Sequence, residues 1–278
     1  MRIVSGGKSD VGQVRGNNED CFRIVPAIDL YVISDGMGGE AHGEVASALA
    51  VETIVKHCLD TEGPAGASPE AQVSWSENTK RLVGAVHLAN KKIFESAEAH
   101  PEQVGMGATV TAAWIDRERL SIAHVGDSRA YLLRSGSLQQ LTSDHSLVAE
   151  QVRRGILTPS EAEHSEMQSV LLRALGTQPE VEVDADEHSL FSRDVLLLCS
   201  DGLTRMVTEP EIAGTLQAEP SPERAAERLV ALANENGGAD NVTVVVVRLD
   251  SDEKGWFSWL RRGAQKNAGG GNGSAGGK

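Results

Sequence analysis

Residues 30–39 read LYVISDGMGG: an apolar run of strand length, an aspartate at its end, then a glycine-rich stretch. β-Branched and aromatic residues suit a pleated backbone, and glycines after an aspartate let the chain pass close to a ligand. The pattern recurs. Residues 195–202, VLLLCSDG, end on Asp201-Gly202, and residues 120–127, LSIAHVGD, end on Gly126-Asp127. Asp240 stands just ahead of the run 242–249, VTVVVVRL, and Glu19-Asp20 precede Cys21-Phe22. Further runs of strand length occupy 108–115 and 130–134, and Ser135-Gly136-Ser137 predicts a hairpin between 130–134 and 138–141.

Helical spacing appears at Leu82, Val86, Ala89, Ile93 and Ala97, which predicts a helix over 78–99. Residues 44–59 and 222–234 read the same way. Residues 60–76, rich in Gly, Pro, Ala and Ser, read as a loop. Strands fall mostly in adjacent runs, with long helices set apart rather than alternating with single strands. That order predicts an α+β fold of antiparallel sheets covered by helices, not a doubly wound sheet.

The chain has 278 residues, enough for a substantial core, with 26 Lys plus Arg against 40 Asp plus Glu and a formal charge of −14. Such acidity repels phosphate backbones and argues against nucleic-acid binding. No apolar run reaches the ~18 residues of a membrane span. Cys21, Cys58 and Cys199 form no CxxC pair, which suits a reducing cytoplasm. The first residues, MRIVSGGKSDVG, lack the apolar stretch of an export signal. Residues 144–194 hold eleven acids against four arginines, a surplus assigned to that region of the surface.

Carboxylates at several strand ends would repel one another unless neutralised, and Mg²⁺ or Mn²⁺ with oxygen ligands is the natural neutraliser. Asp-Gly is also ordinary turn chemistry, so spacing alone leaves the turn and the metal centre both standing. No complete Walker A loop, EF-hand, HExxH or GxSxG is present, and the eight histidines show no ligand spacing.

Taken in order, the motifs add to this. They are Arg15-Gly16-Asn17-Asn18-Glu19-Asp20, Ser34-Asp35-Gly36-Met37-Gly38-Gly39, Gly105-Met106-Gly107-Ala108-Thr109 and Val125-Gly126-Asp127-Ser128-Arg129-Ala130. Then come Leu141-Thr142-Ser143-Asp144-His145-Ser146, Ser200-Asp201-Gly202-Leu203 and Asp240-Asn241-Val242-Thr243. The series resembles the metal-dependent (PPM-type, type 2C) serine/threonine protein phosphatases, of the compact bacterial kind, over about residues 5–249.

The resemblance implies a sandwich of two antiparallel sheets flanked by helices, in α-β-β-α layers, with a metal cleft at one end. It implies a phosphatase domain over 1–250 with a mobile flap at about 143–172, and a Gly-rich tail over 251–278. It further implies hydrolysis of phosphoserine and phosphothreonine by a water bridging two Mn²⁺ or Mg²⁺ ions. Asp35 would bridge the metals, the Gly36 carbonyl would bind one, and Asp201 and Asp240 would complete the other. Asp127 with Asp201 would hold a third, weaker ion. Glu19 and Asp20 would act directly or through metal-bound waters, and Arg15 would bind the substrate phosphate. Phosphorylated proteins are the implied partners, with a Ser/Thr kinase in the cytoplasm opposing the reaction.

Two positions depart from the family pattern. Animal-type members carry a histidine where this chain has Met37, and bacterial ones often carry one where it has Glu40. His42, two residues on, is a candidate substitute for this general acid. A phosphoprotein-binding module without catalysis would have lost metal aspartates; Asp35, Asp201 and Asp240 are all present. A small-molecule phosphatase would keep the same metals with a different pocket. Leu147, Val148, Val152, Ile156 and Leu157 suggest a helical lid that tunes substrate choice and metal exchange. In the tail, Trp256-Phe257-Ser258-Trp259-Leu260-Arg261-Arg262 reads either as packing onto the domain or as docking to a partner or membrane surface.

Overall fold

In a computed structural model, which describes residues 1–38, 42–60, 74–162 and 164–250, alternate side chains of 242–249 divide between two cores. Val242, Val244 and Val246 pack beneath helices. Val245, Val247 and Leu249 face the strands of a second sheet. An antiparallel strand with one wet face would alternate apolar and polar residues. Here both faces are covered, which is why the run is unbroken. Gly39, Glu40, most of the 60–76 loop and the 251–278 tail with Trp256 and Trp259 lie outside the described residues.

In chain order the first strands are β1 (Arg2–Asp10), β2 (Asp20–Val25), β3 (Leu30–Met37), β4 (Gly107–Ala108), β5 (Val110–Asp116) and β6 (Arg119–Val125). They continue with β7 (Arg129–Arg134), β8 (Ser137–Gln140), β9 (Asp184–Ser189), β10 (Val195–Cys199) and β11 (Val242–Asp250). The helices are α1 (Gly43–Leu59), α2 (Glu77–Ala99), α3 (Leu147–Arg153), α4 (Pro159–Ala162), α5 (Asp201–Thr204), α6 (Glu209–Ala218) and α7 (Pro222–Glu235). One sheet runs β1-β11-β10-β7-β8, the other β2-β3-β5-β6-β9, with β4 attached to β3. Every pairing is antiparallel. The layers are therefore α-β-β-α, the expected α+β sandwich.

Three apolar layers hold it together. Helices α1 and α2 cover one sheet through Ile54, Leu82, Val86, Ala89 and Ile93 against Leu30, Val32 and Ala112. Tyr31, Ile33 and Ile122 meet Leu132, Leu196 and Leu198 between the sheets. Helices α6 and α7 close the outer face through Ile212, Leu216, Leu229 and Val230. Each fully buried side chain of this size contributes roughly 1.5–3 kcal/mol. Ser135 and Gly136, at φ 50° and 85°, form the predicted hairpin turn between β7 and β8, with left-handed backbone at both residues.

Two sequence expectations need correction. The helix begun at Leu147 stops at Arg153, because Gly155 turns left-handed (φ 69°) and leaves Ile156 63% exposed. The acidity of 144–194 is not one surface. Asp184, Asp186 and Glu187 belong to β9, a strand of the second sheet, and the buried Asp194 carboxylate takes Arg134 at 2.9 and 2.6 Å. Glu187 accepts from Ser76 N and Thr79 Oγ1 at 2.7 and 2.5 Å and so anchors the start of α2.

One buried group makes stability depend on pH. His124 on β6 lies 2.9 Å from Thr111 Oγ1 and 3.2 Å from the Ser143 carbonyl, and burial pushes its pKa down to about 4. An unfolded histidine binds a proton below about 6.5, and this one does not until about 4. Its share of stability is present above pH 6.5 and is lost as pH falls towards 4, about 3 kcal/mol in all. Urea unfolding at pH 7 and pH 5 should show a steeper loss in the wild type than in His124→Gln. Equal slopes in the two proteins would refute the assignment.

Candidate metal centre

The two sheets bring their acidic strand ends to one end of the sandwich. Pairing of β2 with β3 sets Asp20 directly opposite Asp35. Asp35 is held by its backbone: its N–H donates to Thr109 Oγ1 (3.0 Å) and its carbonyl accepts from Thr109 N (2.8 Å). The Thr109 hydroxyl also meets Ser128 Oγ at 2.7 Å, which draws in the loop carrying Asp127. On the other sheet, Ser200 accepts from Thr243 N (2.9 Å) and donates to Asp20 Oδ2 (2.8 Å), so one hydroxyl spans both sheets. Asp201 follows as the first residue of α5.

Asn241 ties in the remaining loops. Its Oδ1 accepts from Glu19 N (2.8 Å), and its Nδ2 donates to the carbonyls of Val11 (2.9 Å) and Asn17 (2.8 Å). The Glu19 carbonyl accepts from Gly36 N (3.1 Å) and Ser47 Oγ (2.6 Å). Space explains the glycine at 36, since a Cβ there would lie 2.0 Å from the Gly43 carbonyl oxygen. The start of α1 can approach this closely only to a glycine.

Charge sets the chemistry. Burial, then the charges of Asp20, Asp201, Asp127 and Asp240, hold the Asp35 carboxyl well above the usual carboxylate range. Asp20 is pushed up to about 7 and Asp127 to about 8, in both cases chiefly by burial. Asp201 is raised by burial against the opposing pull of Arg205. At the rim, Arg15 Nη2 meets Asp240 Oδ2 at 2.9 Å, and Arg205 Nη2 meets Asp201 Oδ2 at 2.5 Å.

These residues suit a hard divalent cation. The buried oxygens Asp20 Oδ1 and Asp201 Oδ1 have no hydrogen-bond partner, a costly state that a cation relieves. Among the described residues no three His, Cys, Asp or Glu side chains stand at the spacing of a finished chelate. Arg15 and Arg205 hold the outer oxygens of Asp240 and Asp201, and a cation would compete with them there. A cation would relieve both the orphaned oxygens and the mutual repulsion. Glu19 sits beside the cluster with its pKa raised by burial.

All eight residues expected from the sequence, Arg15, Glu19, Asp20, Asp35, Gly36, Asp127, Asp201 and Asp240, meet at this end of the fold. Thr109, Ser128, Ser200, Asn241 and Arg205 were missed as parts of it. Arg205 had a signal, since Asp201 and Arg205 stand four apart on a helical turn. His42 is at the N-cap of α1, within electrostatic reach of Glu19. Burial pushes the Cys21 thiol up, and Cys58 and Cys199 up to about 12, so none is an activated nucleophile. A cleft of about 1020 Å³ opens from Asp127 and Asp201 between the α3–α4 region and residues 204–210.

Known proteins resemble this chain in sequence and fold. The model of the family described as "Protein phosphatase 2C" matches residues 13–241. A serine/threonine phosphatase, stp, of Listeria monocytogenes is 38% identical over 251 residues, 89% of this chain and 96% of the relative. The serine/threonine protein phosphatase PstP of Mycobacterium tuberculosis is 41% identical over 239 residues, 86% of this chain and 43% of that protein. A crystal structure of a PstP catalytic domain in complex with two manganese ions superposes with a TM-score of 0.77 at 38% identity, covering 90% of this chain and 99% of that one. Buried aspartates at strand ends, a sandwich that gathers them and a match across most of the chain agree: this protein belongs to the protein phosphatase 2C family.

Proposed function

We propose that the chain is a Mn²⁺- or Mg²⁺-dependent phosphatase that hydrolyses phosphoserine and phosphothreonine in proteins. The carrying observation is the cluster of buried, mutually repelling carboxylates around Asp35, with an arginine at its rim. Asp35, the Gly36 carbonyl, Asp201 and Asp240 are the residues assigned to two core cations. Asp127 with Asp201 is assigned to a weaker third, and Glu19 and Asp20 to their surroundings. Bound there, the cations supply Lewis acidity that lowers the pKa of a water and offset charge gathering on the phosphoryl oxygens.

The protein's own groups do the rest. Arg15 is half exposed and commits one nitrogen to Asp240, so the remainder of its fork can take a phosphate dianion. Ser200, Thr109 and Asn241 hold the carboxylates and loops in place through neutral hydrogen bonds, leaving the negative charge for the cations. With no activated thiol, direct attack by water fits better than a phosphoenzyme. The protein-binding alternative without catalysis is disfavoured, because no carboxylate of the cluster is lost or turned away. We assign residues 1–250 to the phosphatase domain, place the protein in the cytoplasm where its unpaired cysteines stay reduced, and give it a Ser/Thr kinase as opponent. Among the described residues no helix is long and apolar enough to cross a membrane.

Hydrolysis of a phosphothreonine peptide should require Mn²⁺ or Mg²⁺ and fall by at least ~10²-fold in Asp35→Asn. Turnover in a chelator equal to that with metal would overturn the assignment. Arg15→Lys should raise KM for the peptide more than it lowers kcat. Metal binding should also release protons, because burial pushes the Asp20 and Asp127 carboxyls up to about 7 and about 8, and a cation would displace the protons they hold. Calorimetric titration with Mn²⁺ in buffers of different ionisation enthalpy should show release at pH 7 that shrinks towards pH 9. No release at pH 7 would remove the carboxylates from the site.

A further inference from the structure

His145 was read only as part of a motif, yet it is buried (4% exposed) and stands between the flap and the loop carrying Asp127. Both backbone polar groups of Gly126 are satisfied by this one residue. The Gly126 N–H donates to His145 Nδ1 at 3.1 Å, and the Gly126 carbonyl accepts from His145 N at 2.7 Å. Acceptance at Nδ1 places the ring proton on Nε2, which faces Asp184 Oδ2 at 3.1 Å. Arg173 Nη1 donates to the other oxygen of Asp184 at 2.8 Å, which fixes that carboxylate on β9. The His145 carbonyl in turn accepts from Leu172 N at 2.7 Å, and Ser146 bridges Leu171, so both ends of the flap close on this residue.

Gly126 has reason to need holding. It is left-handed (φ 111°), and a Cβ there would lie 2.6 Å from the Thr109 side chain. That threonine is the one that fixes the backbone of Asp35. A rotation of the Gly126 peptide would therefore move Asp127 and press on the partner of Asp35. The β-strand ladder cannot prevent it, since β6 ends at Val125.

We propose that His145 is a positioning residue for the reaction. Its ring, locked by Asp184, clamps the Gly126 peptide and so sets Asp127 for its cation, and it couples that setting to the base of the flap. The consequence for metal rests on the assignment of Asp127 as a ligand; the clamp itself does not. Partners of this kind around a metal ligand change affinity by roughly 10–100-fold when removed.

Two readouts separate the clamp from that assignment. The first is amide exchange at Gly126 in the full chain. His145→Leu should speed it by about tenfold or more. His145→Asn, whose Oδ1 can accept from the Gly126 N–H in place of Nδ1, should restore most of the protection. Asp184→Ala, at a half-exposed position, should give a smaller increase and covers the case in which His145→Leu does not fold. Unchanged exchange in folded His145→Leu, or in Asp184→Ala where Leu fails to fold, overturns the clamp.

The second readout is Mn²⁺ calorimetry. His145→Leu should weaken the weakest site by about tenfold and leave tighter sites unchanged, with no further loss when added to Asp127→Ala. Equal weakening with and without Asp127 would show a general structural effect and overturn the coupling. If Asp127→Ala leaves the isotherm of the wild type unaltered, the ligand assignment and the metal coupling fall, and the exchange result still decides the clamp.

Discussion

Everything at the working end of this fold follows from one electrostatic constraint. Several carboxylates are brought out of water at the same end of two packed sheets, where repulsion between them is poorly screened. Asp20 and Asp35 cannot be separated, because strand pairing fixes them on one rung. Asp201 is fixed by the end of β10 and the first turn of α5, and Asp127 by the loop after β6. A protein can meet such a constraint with protons, with buried arginines or with metal ions. Neutral hydroxyls and amides do the holding here, and the two oxygens Asp20 Oδ1 and Asp201 Oδ1 have no hydrogen-bond partner, which is the demand that the proposed cations would meet.

The same sandwich explains what could be read in the sequence. Strands at the middle of each sheet have apolar layers on both faces, so residues 30–34, 195–200 and 242–249 stand out as continuous runs. The strands that escaped notice, β1, β2 and β9, are all at sheet edges. Arg2–Asp10 (RIVSGGKSD) and Asp184–Ser189 (DADEHS) carry glycine and charge because an edge needs neither a full second face nor an inviting surface for further pairing. Helix α6 was also missed, although Thr208 and Glu211 form a capping box with Pro210 in the first turn. That signal was local and polar, whereas attention to apolar spacing favours longer helices.

The gathering of the acids was legible because each follows or abuts a strand, and the resemblance carried by the ordered motifs is what assigns them roles. Their supports were not. Ser200, Thr109 and Asn241 are small polar residues whose importance depends on long-range hydrogen bonds, and a linear sequence does not display such contacts. Charge density misled for the same reason. The eleven acids of 144–194 look like one patch in sequence, yet the fold sends Asp184 to His145 and Arg173, Glu187 to the start of α2 and Asp194 to Arg134. These three acids are held in fixed structural bonds, so the surplus of 144–194 is not one region of the surface.

The placement of the arginines completes the logic. Arg129 is committed to Asp144 through contacts of 3.0, 3.1 and 2.7 Å and to the Tyr131 hydroxyl at 2.8 Å, and has no freedom to serve elsewhere. Arg15, with its side chain 54% exposed, stands at the rim and touches only an outer oxygen of Asp240. A guanidinium buried among the aspartates would satisfy them permanently and remove the demand for a cation, because an ion pair deep in the fold is costly to break. At the rim the same group can exchange a carboxylate for an arriving phosphate at little cost, since water stabilises it in either position. Positive charge thus has two places in this protein: Arg129 and Arg205 are paired within the frame, and Arg15 at its edge keeps most of its fork free.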